Sequence, residues 1–226
     1  NGTTSLALNL KPGVYKISTT SNGLTVKNTV TVLSPINVSD VSTTYKNSFK
    51  YNVKVVDNGK ALSGKKVTVV FNKKNYVGTT DKNGEVNITI NPGNLKPGDY
   101  NIITNYKDAK GTYKETKKVT INKGRLSLAL VSDTVKLTYN KKYRTYIGKL
   151  KIKATYNNKA VSGETIIASF NFGKLWYKSD IKTNSKGIAY WTLDSKFKGK
   201  NGTLFTVYNS TYYSSSILYT TVTVKK

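Results

Sequence analysis

Few side chains in this 226-residue sequence could exchange protons with a substrate or attack one. It contains no His, Cys, Met or Gln, so carboxylates, lysines and hydroxyls are what remains. A Ser-His-Asp triad, a Cys or His nucleophile, a zinc site and a disulfide framework are excluded by residue type alone. Paired carboxylates could still act as acid and base. Residues 124–226 offer only Asp133, Glu164, Asp180 and Asp194, in no recognisable constellation. The expectation is a chain that is not an enzyme and holds neither cofactor nor metal. A Lys–Asn isopeptide cross-link needs a buried Lys and Asn beside a protonated carboxyl. Lys and Asn abound, but the acids sit at turns or between lysines, as Glu85 and Glu115 do. A Thr–Gln ester is impossible without Gln.

Three groups of residues are better suited to recognition or modification. Asn-x-Ser/Thr sequons occur at Asn1, Asn37, Asn87, Asn201 and Asn209, and the last four are the candidate N-glycosylation sites. Both tryptophans lie in residues 124–226. Trp176, Tyr177, Tyr208, Tyr212 and Tyr213 are the candidate ligand-facing aromatics, with Tyr219 in the same cluster, since rings flanked by Asn and Lys can stack on sugars. The competing reading puts Trp191, in Ile188-Ala189-Tyr190-Trp191-Thr192-Leu193, in a core, and Trp176 and Tyr177 in a hairpin after Gly173. Lysine supplies almost all of a net charge of +26, with Arg125 and Arg144 the two arginines. That charge is spread, at +3 over residues 1–34, +9 over 35–123 and +14 over 124–226. Specific nucleic-acid binders concentrate charge on one face and grip phosphate with Arg, so none is expected here. Attraction to an anionic or glycan polymer of a wall or cell surface fits better. The dominance of Lys, Asn, Tyr, Thr and Ile also resembles an AT-rich coding bias, which discounts part of the charge.

The elements that must position these groups have a period of two. Phe49, Tyr51, Val53 and Val55 alternate with Lys50, Asn52 and Lys54, and Leu150, Ile152, Ala154 and Tyr156 alternate with Lys149, Lys151, Lys153 and Thr155. That pattern makes half-buried antiparallel strands. Further strands are predicted at 65–72, 75–80, 85–90, 99–106 and 111–122, separated by Asp57-Asn58-Gly59, Asn83-Gly84 and Lys96-Pro97-Gly98. Short strands at this spacing predict an all-β chain of two-sheet sandwiches. No apolar run approaches the roughly 20 residues needed to span a bilayer. No signal peptide is visible. A start at Asn1 rather than Met reads as a processed product or a fragment.

The sequence also repeats. Gly59-Lys60-Ala61-Leu62-Ser63-Gly64 returns as Asn158-Lys159-Ala160-Val161-Ser162-Gly163, and Asp81-Lys82-Asn83-Gly84 returns as Asn184-Ser185-Lys186-Gly187. Leu10-Lys11-Pro12-Gly13-Val14-Tyr15 matches Leu95-Lys96-Pro97-Gly98-Asp99-Tyr100. These matches predict domains at 35–123 and 124–226, preceded by the C-terminal half of a third at 1–34. Strands are expected there around Ser5–Leu10, Val14–Thr20 and Leu24–Leu33. Their apolar face, with Leu6, Leu8, Leu10, Val26 and Val30, lacks its covering sheet. Something should complete it: another copy, a different chain or an upstream stretch.

The order Gly59 to Gly64, Val67, Val69 and Phe71, then Thr79-Thr80-Asp81 with Asn83-Gly84, Val86 and Ile88, then Leu95-Lys96-Pro97-Gly98 with Tyr100 and Ile102, resembles the immunoglobulin-like repeats of prokaryotic surface adhesins. It is similar to the invasin/intimin type and looks most like the Lys- and Asn-rich adhesin-like proteins of methanogenic archaea. The resemblance implies tandem immunoglobulin-like β-sandwiches in an extracellular, cell-surface protein, a non-enzymatic stalk of an adhesin. Two alternatives stand beside it. One is a self-assembling extracellular fibre (filament) subunit joined by inter-chain strand complementation. The other is a wall-polymer-binding module of a larger enzyme.

Overall fold

The computed structural model describes residues 5, 7, 8, 10–208, 210–214 and 216–225, leaving aside the side chains of Phe172 and Val207. Two compact units divide the chain. One takes in residues up to Thr43 together with Asn47–Gly93 and Gly98–Thr120, and the other Thr44–Lys46, Asn94–Pro97 and Ile121–Lys226.

The first unit contains β1 (Gly13–Ser21), β2 (Leu24–Val32), β3 (Ile36–Asn37), β4 (Val41–Thr44), β5 (Phe49–Asp57), β6 (Lys60–Ala61), β7 (Lys66–Phe71), β8 (Lys74–Thr79), β9 (Glu85–Ile90), β10 (Gly98–Asp108) and β11 (Gly111–Asn122). One sheet runs β4-β11-β10-β7-β8, and the other gathers β3, β6 and β9 around β5. The alternation read from β5 is realised in space: Phe49, Tyr51, Val53 and Val55 are buried. They face Val67, Val69 and Phe71 of β7 and Ile102 of β10 across the sandwich, all at most 1% exposed. Phe49 meets Phe71 edge-on at 5.7 Å.

The second unit contains β12 (Gly124–Arg125), β13 (Ser127–Leu130), β14 (Thr134–Lys136), β15 (Thr138–Asn140), β16 (Thr145–Tyr156), β17 (Lys159–Ala160), β18 (Thr165–Phe172), β19 (Leu175–Lys182), β20 (Ile188–Asp194), β21 (Asn201–Val207), β22 (Tyr213–Ser214) and β23 (Ile217–Lys225). A five-stranded sheet runs β14-β23-β21-β18-β19, with β14 parallel to β23. The facing sheet is built on β16, which pairs with β13, β15, β17 and β20. Leu150, Ile152 and Ala154 are fully buried while Lys149, Lys151 and Lys153 are exposed. Phe170 packs edge-on against Trp191 at 6.3 Å, so Trp191 is core, as its setting predicted. The chain is all-β, and its units are immunoglobulin-like β-sandwiches.

The repeated sequence motifs meet in each sandwich. Asp81 folds a turn in which its Oδ1 accepts the N–H groups of Asn83 and Glu85, and its carbonyl accepts the Gly84 N–H. The Gly84 carbonyl then accepts the Val55 N–H at 2.8 Å, and the Val55 carbonyl accepts the Leu62 N–H at 2.9 Å. Thr80 completes the clasp. Its hydroxyl donates to the Leu62 carbonyl and accepts the Lys65 N–H. The second unit repeats these contacts. Asn184 Oδ1 accepts from Lys186 and Ile188, the Gly187 carbonyl accepts from Ala154, the Ala154 carbonyl from Val161, and Thr183 Oγ1 from the Glu164 N–H.

The N-terminal hairpin stands apart in its pairing. Among the described residues β1 and β2 form a two-stranded sheet of their own, closing through Asn22 and Gly23, both at positive φ as a two-residue hairpin turn requires. The strand expected around Ser5–Leu10 is not there among its described residues. Leu8 and Leu10 have the pattern but, among the described residues, no partner ladder, and pattern without pairing does not make a strand.

The clasp depends on glycine. A Cβ on Gly84 (φ +72°) would lie 2.6 Å from the Val55 carbonyl oxygen, whereas one on Gly59 (φ +79°) would meet nothing within 4 Å. Gly84→Ala should destabilise the first unit by about 2–4 kcal/mol, left-handed strain plus a backbone clash, and Gly59→Ala by only about 1 kcal/mol. Thermal unfolding of the two variants checks this ordering.

Candidate functional site

The candidate aromatics fall into two environments. Tyr208 and Tyr213 are core residues, 0% and 4% exposed, which corrects the expectation that they face a ligand. The reason is a polar cluster that can take their hydroxyls inside. Tyr208 donates a short hydrogen bond to the half-buried Glu164 carboxylate. Tyr213 packs edge-on to Tyr156 at 5.3 Å and to Tyr45 at 5.5 Å. Tyr156 donates to the Tyr45 carbonyl at 2.8 Å. Tyr212 is half-buried, with its ring 4.9 Å from Tyr45 and its carbonyl accepting the Gly124 N–H. Gly124 is part of this packing, because a Cβ there would come within 2.7 Å of the Tyr156 ring.

Burial and the Glu164 contact also set the protonation of this cluster. Desolvation, then the hydrogen bond to Glu164, hold the Tyr208 phenol well above the usual tyrosine range. Desolvation, with the charges of Tyr45, Glu164 and Tyr156 behind it, pushes Tyr213 up to about 12. The phenols are therefore held neutral, the state of a packing residue rather than of a base.

Trp176 and Tyr177 lie on β19, just past the Gly173 turn that joins it to β18. Trp176 is 63% exposed. Tyr177 is half-buried, edge-on to Phe197 at 4.9 Å and covered by the Lys196 ammonium. The structure therefore leaves Trp176 open to a ligand, together with Tyr219 on β23, 72% exposed, and adds one ring the sequence did not point to, Phe205 on β21, half-buried.

The remaining candidates are dispersed. Asn37, Asn87 and Asn201 are exposed, with Asn87 accepting from Asn52 Nδ2 at 3.2 Å. Asn1, Asn209 and Leu6 lie outside the described residues. Leu8 and Val26 are exposed, and Leu10 and Val30 half-buried. Asp194 caps the short 3-10 turn at Ser195–Phe197, and Asp133 accepts from the Thr134 hydroxyl. Among the described residues no group of three or more Asp or Glu could hold a metal ion, and no lysine is buried, so a Lys–Asn cross-link lacks its desolvated amine. No helix among them is long and apolar enough to cross a membrane. A depression of about 270 Å³, lined by Asn37, Asp40, Lys50, Tyr51 and Lys54 among others, went unread in the sequence. Its Asp40 carboxylate accepts the Lys118 N–H at 2.8 Å, so it too is engaged structurally.

No family model matches the chain. No curated protein matches it. Among solved structures, it is similar to a Ca2+-stabilized adhesin with which an Antarctic bacterium binds ice (15% identity, 94% of this chain and 56% of that one, TM-score 0.32). It is also similar to the D0–D1 domain of intimin (17% identity, 82% and 96%, TM-score 0.30) and to titin A168–A169 (10% identity, 85% and 97%, TM-score 0.46). The chain thus spans little over half of the Antarctic adhesin chain.

The tyrosine cluster yields a pH prediction. A phenol raised in the folded state gives stability that is whole below the unfolded value near 10 and is lost as pH rises through the folded value. Unfolding of the second unit should therefore set in between about pH 10 and 12, with a late phase of tyrosinate absorbance, from the buried phenols, coinciding with loss of the β circular dichroism signal. Glu164→Gln should narrow that gap, and ionisation of Tyr208 and Tyr213 well before unfolding would contradict it.

Proposed function

We propose that the chain is a non-enzymatic segment of an extracellular, cell-surface adhesin, contributing immunoglobulin-like repeats to its stalk. The observation that carries this reading is the same clasped sandwich formed twice, around Gly84 and around Gly187, from motifs repeated along one sequence. Tandem copies of one fold, with lysine-rich outer faces and carboxylates used in turns and ion pairs, suit a spacer that must stay soluble. Domains at 35–123 and 124–226, with a half-domain at 1–34, belong to this reading. So do glycans on the exposed Asn37, Asn87 and Asn201, with Asn209 as a fourth candidate, and attraction to anionic or glycan surface polymer.

A second reading rests on the N-terminal hairpin. Its paired strands expose Val14 (70%), Leu24 (77%) and Val26 (58%), and among the described residues each strand has one edge with no strand beside it. Such a ribbon is a template for another strand. In that case copies would join into a fibre by strand complementation.

Sedimentation equilibrium separates the two readings. A stalk segment stays at 25.0 kDa across a wide concentration range. A fibre subunit assembles, and Leu24→Lys with Val26→Lys should abolish assembly by placing charge on the pairing face. Polymers unaffected by the two lysines would count against both readings.

A further inference from the structure

The outer face of the second unit's five-stranded sheet has a chemistry of its own. Ile166, Ala168 and Phe170 on β18 and Leu204 and Thr206 on β21 are buried, so Ser169, Asn171, Thr203 and Phe205 point outward. Register sets the outward residues in rows across the sheet. Tyr219 pairs with Phe205, Phe205 with Ser169, and Ser169 with Lys178. In the adjacent row Thr221, Thr203, Asn171 and Trp176 are aligned in the same way. Three rings thus share the face with hydroxyls and a carboxamide, and Lys178 closes one row.

The first unit provides an internal comparison. Phe71 pairs with Ile102 as Phe170 pairs with Leu204, so Ile103 stands where Phe205 does. On its exposed side β11 carries Thr112, Lys114, Thr116 and Lys118, with no aromatic residue among them. Trp176 has no counterpart, because the β7–β8 ladder ends at Phe71–Lys74 while β18–β19 continues through Asn171–Trp176 and Phe172–Leu175. The same fold is therefore built without these rings in one unit and with them in the other, and the rings are not needed for the sandwich.

We infer that this face binds an acidic polysaccharide. Phe205 and Trp176 are separated by two strands and one two-residue step, about 12 Å, and Tyr219 extends the row by another strand, about 5 Å. Ring faces on a flat pleated surface match the C–H faces of sugar rings, and Ser, Thr and Asn between them match the sugar hydroxyls. The charge of the ligand follows from the rim. Lys178 and Lys182 lie along one edge strand, and Lys136 and Lys225 on the opposite pair, four cations against Asp180 on the first edge and Asp133 just ahead of β14. Uronate carboxylates on either side of stacked rings complement that arrangement. The inference gives the adhesive reading a ligand class and rests on it, while its test is independent of whether the chain polymerises.

The whole chain is titrated at 0.15 M salt with polygalacturonate, alginate and hyaluronan, with the methyl ester of polygalacturonate as the uncharged control and polyphosphate as charge without rings. At least one of the three acidic polymers should bind and shift the emission of Trp176, which is distinguishable because Trp191 is buried. The variant Trp176→Ser with Tyr219→Thr alters only exposed rings and should melt like the parent. It should bind the acidic polysaccharide at least about tenfold more weakly while holding polyphosphate equally. Binding by none of the three polymers, unchanged binding by the double variant, or equal binding of the methyl ester would each overturn the inference. A concentration-dependent dimer lost in the double variant would overturn it as well, by placing a second copy of the chain on the face.

Discussion

Each sandwich depends on a glycine held in the left-handed region against the backbone of its central strand. Gly84 returns its carbonyl to Val55, and Val55 returns its own to Leu62, so the two repeated motifs hold one another through β5 rather than acting as separate turns. Two turns about 22 residues apart are thereby fixed to the middle of the buried strand. The sheet edges can then vary, as the lengthened β18–β19 ladder shows, without disturbing the core. Gly187, Ala154 and Val161 make the same bonds in the second unit, with Asn184 in place of Asp81 as the turn residue.

With the interior fixed in this way, the two faces of each sheet are free to answer to different demands. Inside, apolar side chains and a few satisfied polar groups fill the space. Thr104 and Thr206, at equivalent positions, are fully buried, the first bonded to the Tyr51 hydroxyl and the second accepting the Leu218 N–H. Outside, lysines alternate along β5, β11 and β16. The β18–β21–β23 face is set apart by its outward rings, Trp176 and Tyr219 at its sides and Phe205 between them.

The sequence shows the strands well, because a half-buried strand writes its burial every second residue, as Leu150, Ile152 and Ala154 do between three lysines. It shows the clasp motifs too, through their repetition, but not that they touch each other. Three features escape it. Leu204-Phe205-Thr206 has adjacent apolar residues and a buried threonine, so alternation alone assigns the wrong parity, and Phe205 becomes visible as a surface ring only with the register. Tyr208 and Tyr213 look like surface tyrosines because their partners are distant in sequence: Glu164, 44 positions from Tyr208, and the rings of Tyr45 and Tyr156 around Tyr213. Leu8 and Leu10 read as a strand because periodicity records a face, not the presence of a neighbour to pair with.

The parallel pairing of β14 with β23 bears on how the second unit meets a pull. Tension drawn along the chain through this unit runs lengthwise down two strands that are hydrogen-bonded side by side at Thr134–Lys136 and Thr223–Lys225. Parallel strands pulled from opposite ends slide against each other, so their hydrogen bonds are loaded in shear and must give way together. A hairpin such as β1–β2, pulled at its open end, is instead unzipped one rung at a time. The two geometries in this chain should therefore yield at very different forces, the hairpin as a compliant lead and the sandwich as a latch.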